Sequence, residues 1–176
     1  MYFITRNEDK FREVKSLLPG LERLEIGRKN RHWTQRRSSP TLLQVARKKQ
    51  PSGPIVAEDT SLYLDGLNGF PGPLIKWMLR KIGTQGIYEL CQSVRDRRAV
   101  ARTVVGYDDG RGVARFFEAE VQGQIVAPQG VEGFGWDEIF QPDGLNETFA
   151  EMGDDYKSEF SMRTQAFRKL REYLAQ

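Results

Sequence analysis

The sequence is poor in the two residues that most often carry nucleophilic and metal chemistry. Among its 176 residues there is one cysteine, Cys91, and one histidine, His32. A lone cysteine cannot form an intramolecular disulfide, which favours a reducing compartment. A lone histidine excludes His-based metal clusters and argues against a Ser-His-Asp triad. Any metal site must therefore use oxygen ligands, which favours Mg²⁺ or Mn²⁺.

Long apolar runs and a strong net charge are also missing. No apolar stretch approaches the length of a membrane span, and 27 basic against 24 acidic side chains leave a net charge of +3. We therefore expect a soluble, cytoplasmic protein without membrane contact, with residues 1–176 forming a single domain of two lobes. Residues 23–49 are locally basic, which indicates either polyanion binding or a solvated loop.

Hydrophobic patterning predicts strands and helices that alternate early in the chain, followed by a hairpin. This pattern is typical of an α/β fold with a mixed, twisted sheet. The predicted strands cover residues 1–5, 21–26, 55–57, 100–107 and 113–124, and the predicted helices cover residues 7–18, 42–49, 73–81 and 161–174.

Two segments could bind phosphate or a metal ion. Thr5, Asn7 and Lys10 surround a strand-to-helix junction, and helix N-termini attract anions; Asn7 is equally an ordinary N-cap. Glu58 and Asp59 follow the predicted strand at 55–57, where two carboxylates can hold Mg²⁺ or orient a water. An acidic pair at a strand end is the structural alternative.

A third segment suits a flat heterocycle. Residues 134–137 read Phe-Gly-Trp-Asp. Ring stacking accepts any base, at about 1–3 kcal/mol each, so selectivity would come from the carboxylate. The aromatic residues are alternatively part of the core. Lys157 and Arg163 can grip phosphate or a purine carbonyl, or can lie on the surface.

Together these segments resemble the inosine triphosphate pyrophosphatase family, over nearly the whole chain and in the family's order. The shared motifs are Ile4-Thr5-x-Asn7-x-x-Lys10, Glu58-Asp59-Thr60, Gly69-x-Pro71-Gly72-Pro73-x-Ile75-Lys76-Trp77, Phe134-Gly135-Trp136-Asp137, and Ala150-Glu151-Met152 with Lys157 and Ser161-x-Arg163.

The resemblance implies an elongated α/β fold of two lobes around a central mixed, twisted sheet, with a nucleotide cleft between the lobes and a homodimer as the assembly. It implies Mg²⁺-dependent hydrolysis of aberrant purine nucleoside triphosphates, such as ITP, dITP and XTP, to the monophosphate and pyrophosphate. Asp59 would be catalytic and a metal ligand, with Glu58 as a further ligand. Substrate-binding residues would be Thr5, Asn7, Lys10, Thr60, Lys76, Phe134, Gly135, Trp136, Asp137, Lys157 and Arg163.

Three departures from the family pattern stand out. Arg6 replaces a glycine, and Met162 replaces a histidine. The Leu-Pro-Glu-Ile-Gln-like segment, whose glutamate is a metal ligand, is not visible, and residues 27–37 stand in its place. Read two bases later, the codons of His32-Trp33-Thr34 give Leu-Asp, so residues 27–49 are either a genuine divergence or the product of a local frameshift.

Two other functions compete with the pyrophosphatase. A catalytically impaired nucleotide-binding protein would keep the base and phosphate contacts but lose turnover through the missing glutamate and Met162. A nucleic-acid-binding module would use the basic residues 28–49 and show steep salt dependence. The nucleic-acid-binding function leaves the acidic and Pro-Gly-Pro motifs unexplained, so we expect a nucleotide substrate and no nucleic-acid partner.

Overall fold

A computed structural model describes residues 1–25, 39–49, 52–112 and 114–176. Residues 26–38, which make up about half of the basic segment and include the place of the missing glutamate, lie outside these ranges. Two predicted strands are described except for one terminal residue each. These are residue 26 of the strand predicted at 21–26 and residue 113 of the strand predicted at 113–124.

The described residues form an α/β fold of seven strands and five helices, which confirms the predicted fold class. The long strands are rich in the β-branched and aromatic residues that favour a half-buried pleated surface. The elements are β1 (Tyr2–Ile4), α1 (Glu8–Lys15), β2 (Glu22–Leu24), α2 (Ser39–Lys49), β3 (Ile55–Leu64), β4 (Pro71–Gly72), α3 (Ile75–Gln92), β5 (Arg98–Asp108), β6 (Ala114–Ile125), β7 (Phe140–Pro142), α4 (Gly153–Phe160) and α5 (Met162–Leu174), with 3₁₀ turns at Asp65–Leu67 and Asp137–Ile139.

The strands of the described chain belong to one mixed sheet. Its order is β2-β1-β3-β5-β6-β7, and β4 pairs with β3 off this path. β1 is parallel to both β2 and β3, whereas β4 pairs with β3 and β7 pairs with β6 in antiparallel register. Parallel neighbours early in the chain and hairpin-type neighbours later are what the alternating pattern predicts.

The described chain divides into two compact units. Unit 1 consists of Met1–Asp59, Thr103–Ala119 and Arg163–Gln176, and unit 2 of Thr60–Arg102 and Glu120–Met162. The boundaries fall within β3, β5 and β6, and directly after Met162 at the start of α5.

Unit 1 has a continuous core that includes α2. Leu43 and Ala46 of this helix pack with Ile55 and Ala57 of β3. Arg47 forms an ion pair with Asp108 at 2.7 Å and donates to the Gly53 carbonyl at 2.8 Å. The hydrogen bond from Arg47 is the main reason that the pKa of Asp108 lies below its ordinary value. A frameshifted segment has no reason to fit a core in this way, so the frameshift hypothesis is better confined to residues before α2.

Unit 2 is built around aromatic residues. Trp136 packs edge-on against Phe140, with ring centroids 5.3 Å apart, and Phe140 lies 5.2 Å from Phe149. Helix α3 is interrupted by non-helical geometry at Gly83, which has a positive φ of 67°. Glycine adopts such a φ without the steric cost that other residues meet.

Several elements differ from the sequence-based prediction, including the short strands β4 and β7, which were not predicted. Glu58, Asp59 and Thr60 lie inside β3 and do not follow its end, because sheet pairing outweighs the low strand propensity of acidic residues. Helix α3 continues past the predicted end at residue 81 as far as Gln92, beyond the Gly83 kink. Helix α4 was not predicted, because glycine and two aspartates at its start look like a turn.

Candidate functional site

The strand-to-helix junction of unit 1 is organised by Asn7. Its side-chain oxygen accepts hydrogen bonds from the backbone N–H groups of Asp9 at 2.9 Å and Lys10 at 3.3 Å, which caps α1. The Asn7 N–H in turn donates to the Thr5 hydroxyl at 3.2 Å. The side-chain oxygen of Asn7 therefore acts as an ordinary N-cap, which is the structural alternative that the sequence left open. The same contacts place Thr5, Asn7 and Lys10 together at one helix N-terminus, as the phosphate interpretation requires.

A buried ionic cluster lies beside this junction in unit 1. Lys10 Nζ lies 3.1 Å and 3.2 Å from the two carboxylate oxygens of Glu58. Arg163 Nε donates to Glu58 at 3.4 Å, and Arg163 Nη1 pairs with Glu13. Three residues that the sequence placed in separate motifs are thus in direct contact. Glu13 was missed, although its position three residues after Lys10, on one helix face, is a usable signal.

The acidic residues of β3 are the candidates for a metal site. The described residues contain no group of three His, Cys, Asp or Glu side chains arranged to hold an ion. Glu58 is engaged by two cations, which would repel a third. Asp59 is the next residue of the same strand and is only partly buried. One carboxylate is a sufficient protein ligand for Mg²⁺ when substrate phosphates and waters complete its shell, so Asp59 fits this ion.

Unit 2 holds the Pro-Gly-Pro motif, which starts α3. Pro71 and Gly72 form β4 and pair with Tyr63 and Leu62 of β3. Gly72 has a φ of 53°, and a Cβ atom on it would lie 3.0 Å from the Tyr63 ring. The motif therefore has a folding role. Four residues after Gly72, Lys76 is exposed in the first turn of α3, and Thr60 of β3 is partly buried.

The Phe-Gly-Trp-Asp segment of unit 2, residues 134–137, folds around its carboxylate. Asp137 Oδ2 accepts the backbone N–H of Phe134 at 2.8 Å. A Cβ atom on Gly133 would lie 2.6 Å from the same oxygen, so only glycine allows this approach. Gly135 has a φ of 77° and is exposed. The loop is consequently held in one conformation from within.

Lys157 of α4 completes this group of residues. Its Nζ donates to Asp137 Oδ2 at 2.7 Å, and both side chains are more than nine-tenths buried. The same nitrogen lies 4.8 Å from the centroid of the Phe134 ring and 5.7 Å from that of Phe149. A buried cation, a carboxylate and aromatic rings therefore come together at Phe134, Asp137 and Lys157, three residues that the resemblance assigns to the base.

Trp136 lies differently from its neighbours in the loop. It is 6% exposed and packs against Phe140 and Phe149. This is the core position that the sequence left open as an alternative to base stacking. Phe134, by contrast, is only partly buried. Phe134 is therefore the better candidate for stacking.

A cavity of about 410 Å³ lies next to this loop within unit 2. Phe134, Gly135 and Asp137 line this cavity, together with Arg80 and Thr84 of α3. The volume falls in the range of small-ligand pockets, about 300–1,000 Å³.

The fold and these residues define a class of protein: an α/β protein with a lysine beside an asparagine-capped helix N-terminus and a second, buried lysine beside aromatic rings. A sequence model of the Ham1 family matches residues 1–173, and the chain belongs to this family. Two curated relatives are the inosine triphosphate pyrophosphatases of Schizosaccharomyces pombe and Kluyveromyces lactis, each 36% identical, with 98% of this chain and 93% and 94% of those chains covered. The predicted family is confirmed.

Solved structures of relatives have the same fold. The Ham1 protein of Staphylococcus aureus superposes with a TM-score of 0.81 at 22% identity, over 99% of this chain and 98% of the other. A nucleoside-triphosphatase described as a dITP/XTP pyrophosphatase from Mycobacterium abscessus superposes with a TM-score of 0.70 at 25% identity, over 97% and 98% of the two chains. No helix in the described parts of this chain is long and apolar enough to cross a membrane.

Proposed function

We propose that this protein hydrolyses aberrant purine nucleoside triphosphates, such as ITP, dITP and XTP, to the monophosphate and pyrophosphate. The chain is a nucleoside triphosphate pyrophosphatase, and the two curated relatives that it matches over nearly their whole length are named inosine triphosphate pyrophosphatases. The observation that carries the substrate class is the buried pair of Lys157 and Asp137 against the Phe134 ring. A fixed donor beside a stacking ring suits a purine that presents a carbonyl oxygen.

The phosphate-binding residues of the proposal are those at the start of α1 and α3. Lys10 supplies a positive charge beside the N-cap of α1, and Lys76 lies in the first turn of α3. Cations and helix N-termini both stabilise phosphate oxygens. Thr5, Asn7 and Thr60 add hydroxyl and amide groups, which donate hydrogen bonds to the same oxygens.

Asp59 is the catalytic residue of the proposal. A carboxylate near the triphosphate can accept the proton of the attacking water as the bond to the phosphorus forms. Asp59 would also hold Mg²⁺, or Mn²⁺ in its place, which would neutralise charge on the phosphates and help to activate the water. Water attacks the α-phosphorus, the bond from this phosphorus to the oxygen that bridges to the β-phosphate breaks, and pyrophosphate leaves with that oxygen while the monophosphate remains.

Base selectivity follows from hydrogen-bond polarity. Lys157 and Arg163 carry donors only, and the 6-oxo group of hypoxanthine or xanthine accepts hydrogen bonds. The 6-amino group of adenine would face these donors with a donor. An unpaired buried donor costs about 1–3 kcal/mol, which corresponds to roughly 5- to 150-fold discrimination against ATP.

Three further properties belong to the proposal. The resemblance supports a homodimer. The single cysteine in 176 residues supports a reducing, cytoplasmic location. Magnesium as the metal is supported by the carboxylate of Asp59 and by a sequence with one histidine.

The test is pyrophosphate release from ITP, XTP, dITP, GTP and ATP with Mg²⁺, together with ITP binding. We expect release from the keto-purines and little from ATP. Asp59→Asn should lower the rate by at least about 100-fold while ITP binding and thermal stability stay near wild type. Asp65→Asn is the matched control, because Asp65 is exposed and its ion pair with Arg98 lies at the surface.

Two outcomes would refute parts of this proposal. ITP binding without pyrophosphate release by the wild-type protein would establish the catalytically impaired alternative. Near-native turnover by the Asp59→Asn variant would remove Asp59 from its catalytic role.

A further inference from the structure

The ionic cluster of unit 1 has one carboxylate at its centre. Glu58 has no exposed side-chain surface, and its oxygens lie within 3.4 Å of both Lys10 Nζ and Arg163 Nε. Arg163 also pairs with Glu13, whose side chain is 9% exposed. Two carboxylates thus face two cations, and the cluster has no net charge.

This environment does not suit a metal ligand at Glu58. A divalent ion on its oxygens would lie next to an ammonium and a guanidinium group, and like charges at such distances repel strongly.

We propose that Glu58 is a positioning residue whose carboxylate holds both Lys10 and Arg163, and that Glu13 is the second anchor of the Arg163 guanidinium. This inference rests on the proposed function, in which Lys10 binds phosphate and Arg163 contacts the keto edge of the base. It replaces the expectation that Glu58 is a metal ligand.

The position of Arg163 argues for a functional cation. Arg163 is 2% exposed and lies in the first turn of α5. Burying a charge costs several kcal/mol even when it is paired, and an apolar side chain of similar size is often the more stable choice. A cation in the first turn of a helix also opposes the helix macrodipole. Two carboxylates hold a buried cation at a position where stability alone would favour an apolar side chain.

The shared carboxylate has a consequence for substrate choice. Lys10 is assigned to the phosphates and Arg163 to the base, and one carboxylate contacts both side chains. Neutralising Glu58 should therefore disturb phosphate placement and base recognition together, whereas neutralising Glu13 should mainly disturb Arg163. Neither change should alter the affinity for Mg²⁺.

The experiment compares Glu58→Gln and Glu13→Gln with Glu8→Gln, an exposed carboxylate on the same helix as Glu13. The readouts are the ITP-to-ATP ratio of kcat/KM, the Mg²⁺ concentration for half-maximal activity, ITP affinity in EDTA, and thermal stability. In both cluster variants we expect the ITP-to-ATP ratio to fall roughly tenfold or more, the effect of one charge-assisted hydrogen bond. ITP affinity in EDTA should fall in parallel, and the Mg²⁺ requirement should stay within about twofold.

Three results would overturn the inference. A Mg²⁺ requirement raised about tenfold in Glu58→Gln, with an unchanged ITP-to-ATP ratio, would make Glu58 a metal ligand. Equal losses for ITP and ATP with a lower melting temperature would make the cluster purely structural. Unchanged selectivity in Glu13→Gln would remove Glu13 from the proposal.

Two safeguards keep the test decisive. If Glu58→Gln does not fold, Arg163→Lys reports on the same contact, because it keeps the charge and loses the planar guanidinium fork. We expect this variant to lower the ITP-to-ATP ratio of kcat/KM. An unchanged ratio counts against the inference. Failure of the proposed function is seen separately, in a wild-type protein that releases no pyrophosphate from ITP.

Discussion

Replacing Lys157 with methionine should destabilise the protein and weaken its preference for keto-purines. Lys157 is buried and pairs at 2.7 Å with Asp137, which is buried as well. Methionine fills a similar volume but carries no charge. The variant therefore leaves the Asp137 carboxylate in an apolar region with its counter-ion removed.

The size of the effect follows from burial. Removing one partner of a buried ion pair typically costs about 3–5 kcal/mol. In a chain of 176 residues, each kcal/mol corresponds to roughly 2–4 °C in melting temperature. Lys157→Met should therefore melt at least about 6 °C below wild type. The ammonium group lies 4.8 Å from the Phe134 ring centroid, and its loss adds about 0.5–2 kcal/mol.

A double-mutant cycle separates the interaction energy of the Lys157–Asp137 pair from the contribution of each residue alone. Asp137→Asn should be destabilising for the mirror-image reason, because it leaves a buried ammonium group. The double variant Lys157→Met/Asp137→Asn has no buried charge, so it should be more stable than either single variant. Lys81→Met is the matched control, because Lys81 is exposed on α3 of the same unit.

Urea and thermal unfolding measure the four stabilities, and pyrophosphate release from ITP and ATP measures selectivity. The reasoning is refuted if Lys157→Met lies within about 1 kcal/mol of wild type, or if the two single effects simply add. The proposed role of Lys157 in base choice is refuted if the ITP-to-ATP ratio of kcat/KM is unchanged in a folded Lys157→Met protein.

Three further predictions concern the fold. Trp136→Ala should cost about 3–5 kcal/mol in the free energy of unfolding, measured in urea, because the ring is buried in the core; a loss below 1 kcal/mol contradicts this. Gly72→Ala should lower the melting temperature, since Gly72 has a positive φ and a Cβ atom would crowd Tyr63, and an unchanged value argues against that geometry. The hydrogen bond from Arg47 lowers the pKa of Asp108 from 3.8, so its stabilisation is present above that value and is lost as pH falls through the lower, folded-state pKa. Arg47→Met should flatten the acid side of the stability profile, and a profile of unchanged shape excludes this pair as its cause.

Much of the fold was predictable because its signals are local. The strand and helix at the N-terminus follow from apolar periodicity and the Asn7 cap, and the hairpin of β5 and β6 follows from β-rich runs joined by a turn. Helix α4 and the extent of β3 were not predictable in this way. Acidic residues lower the strand propensity of β3, and only its pairing in the sheet compensates for this.

The candidate site was predictable by residue type but not by contact. The sequence identifies Lys10, Glu58 and Arg163 as separate motif members, and nothing in their spacing shows that one carboxylate binds both cations. Glu13 was missed for the same reason, since its partner lies 150 positions away. Trp136 illustrates a different limit. A sequence does not distinguish an aromatic residue that stacks on a ligand from one that packs in the core, and only the contacts of Trp136 with Phe140 and Phe149 show its position.

The two buried cations suggest how donor-only side chains can discriminate between purines. Lys157 is tied to Asp137 in unit 2, and Arg163 is tied to Glu58 and Glu13 in unit 1. A flexible surface lysine could turn away from the 6-amino group of adenine and recover its hydration at little cost. A cation fixed by a buried carboxylate cannot do so without breaking its ion pair, so a mismatched base meets the full penalty of an unpaired donor. On this argument, the anchoring carboxylates contribute to selectivity together with the cations, and neutralising an anchor should relax base choice even where the cation itself is intact.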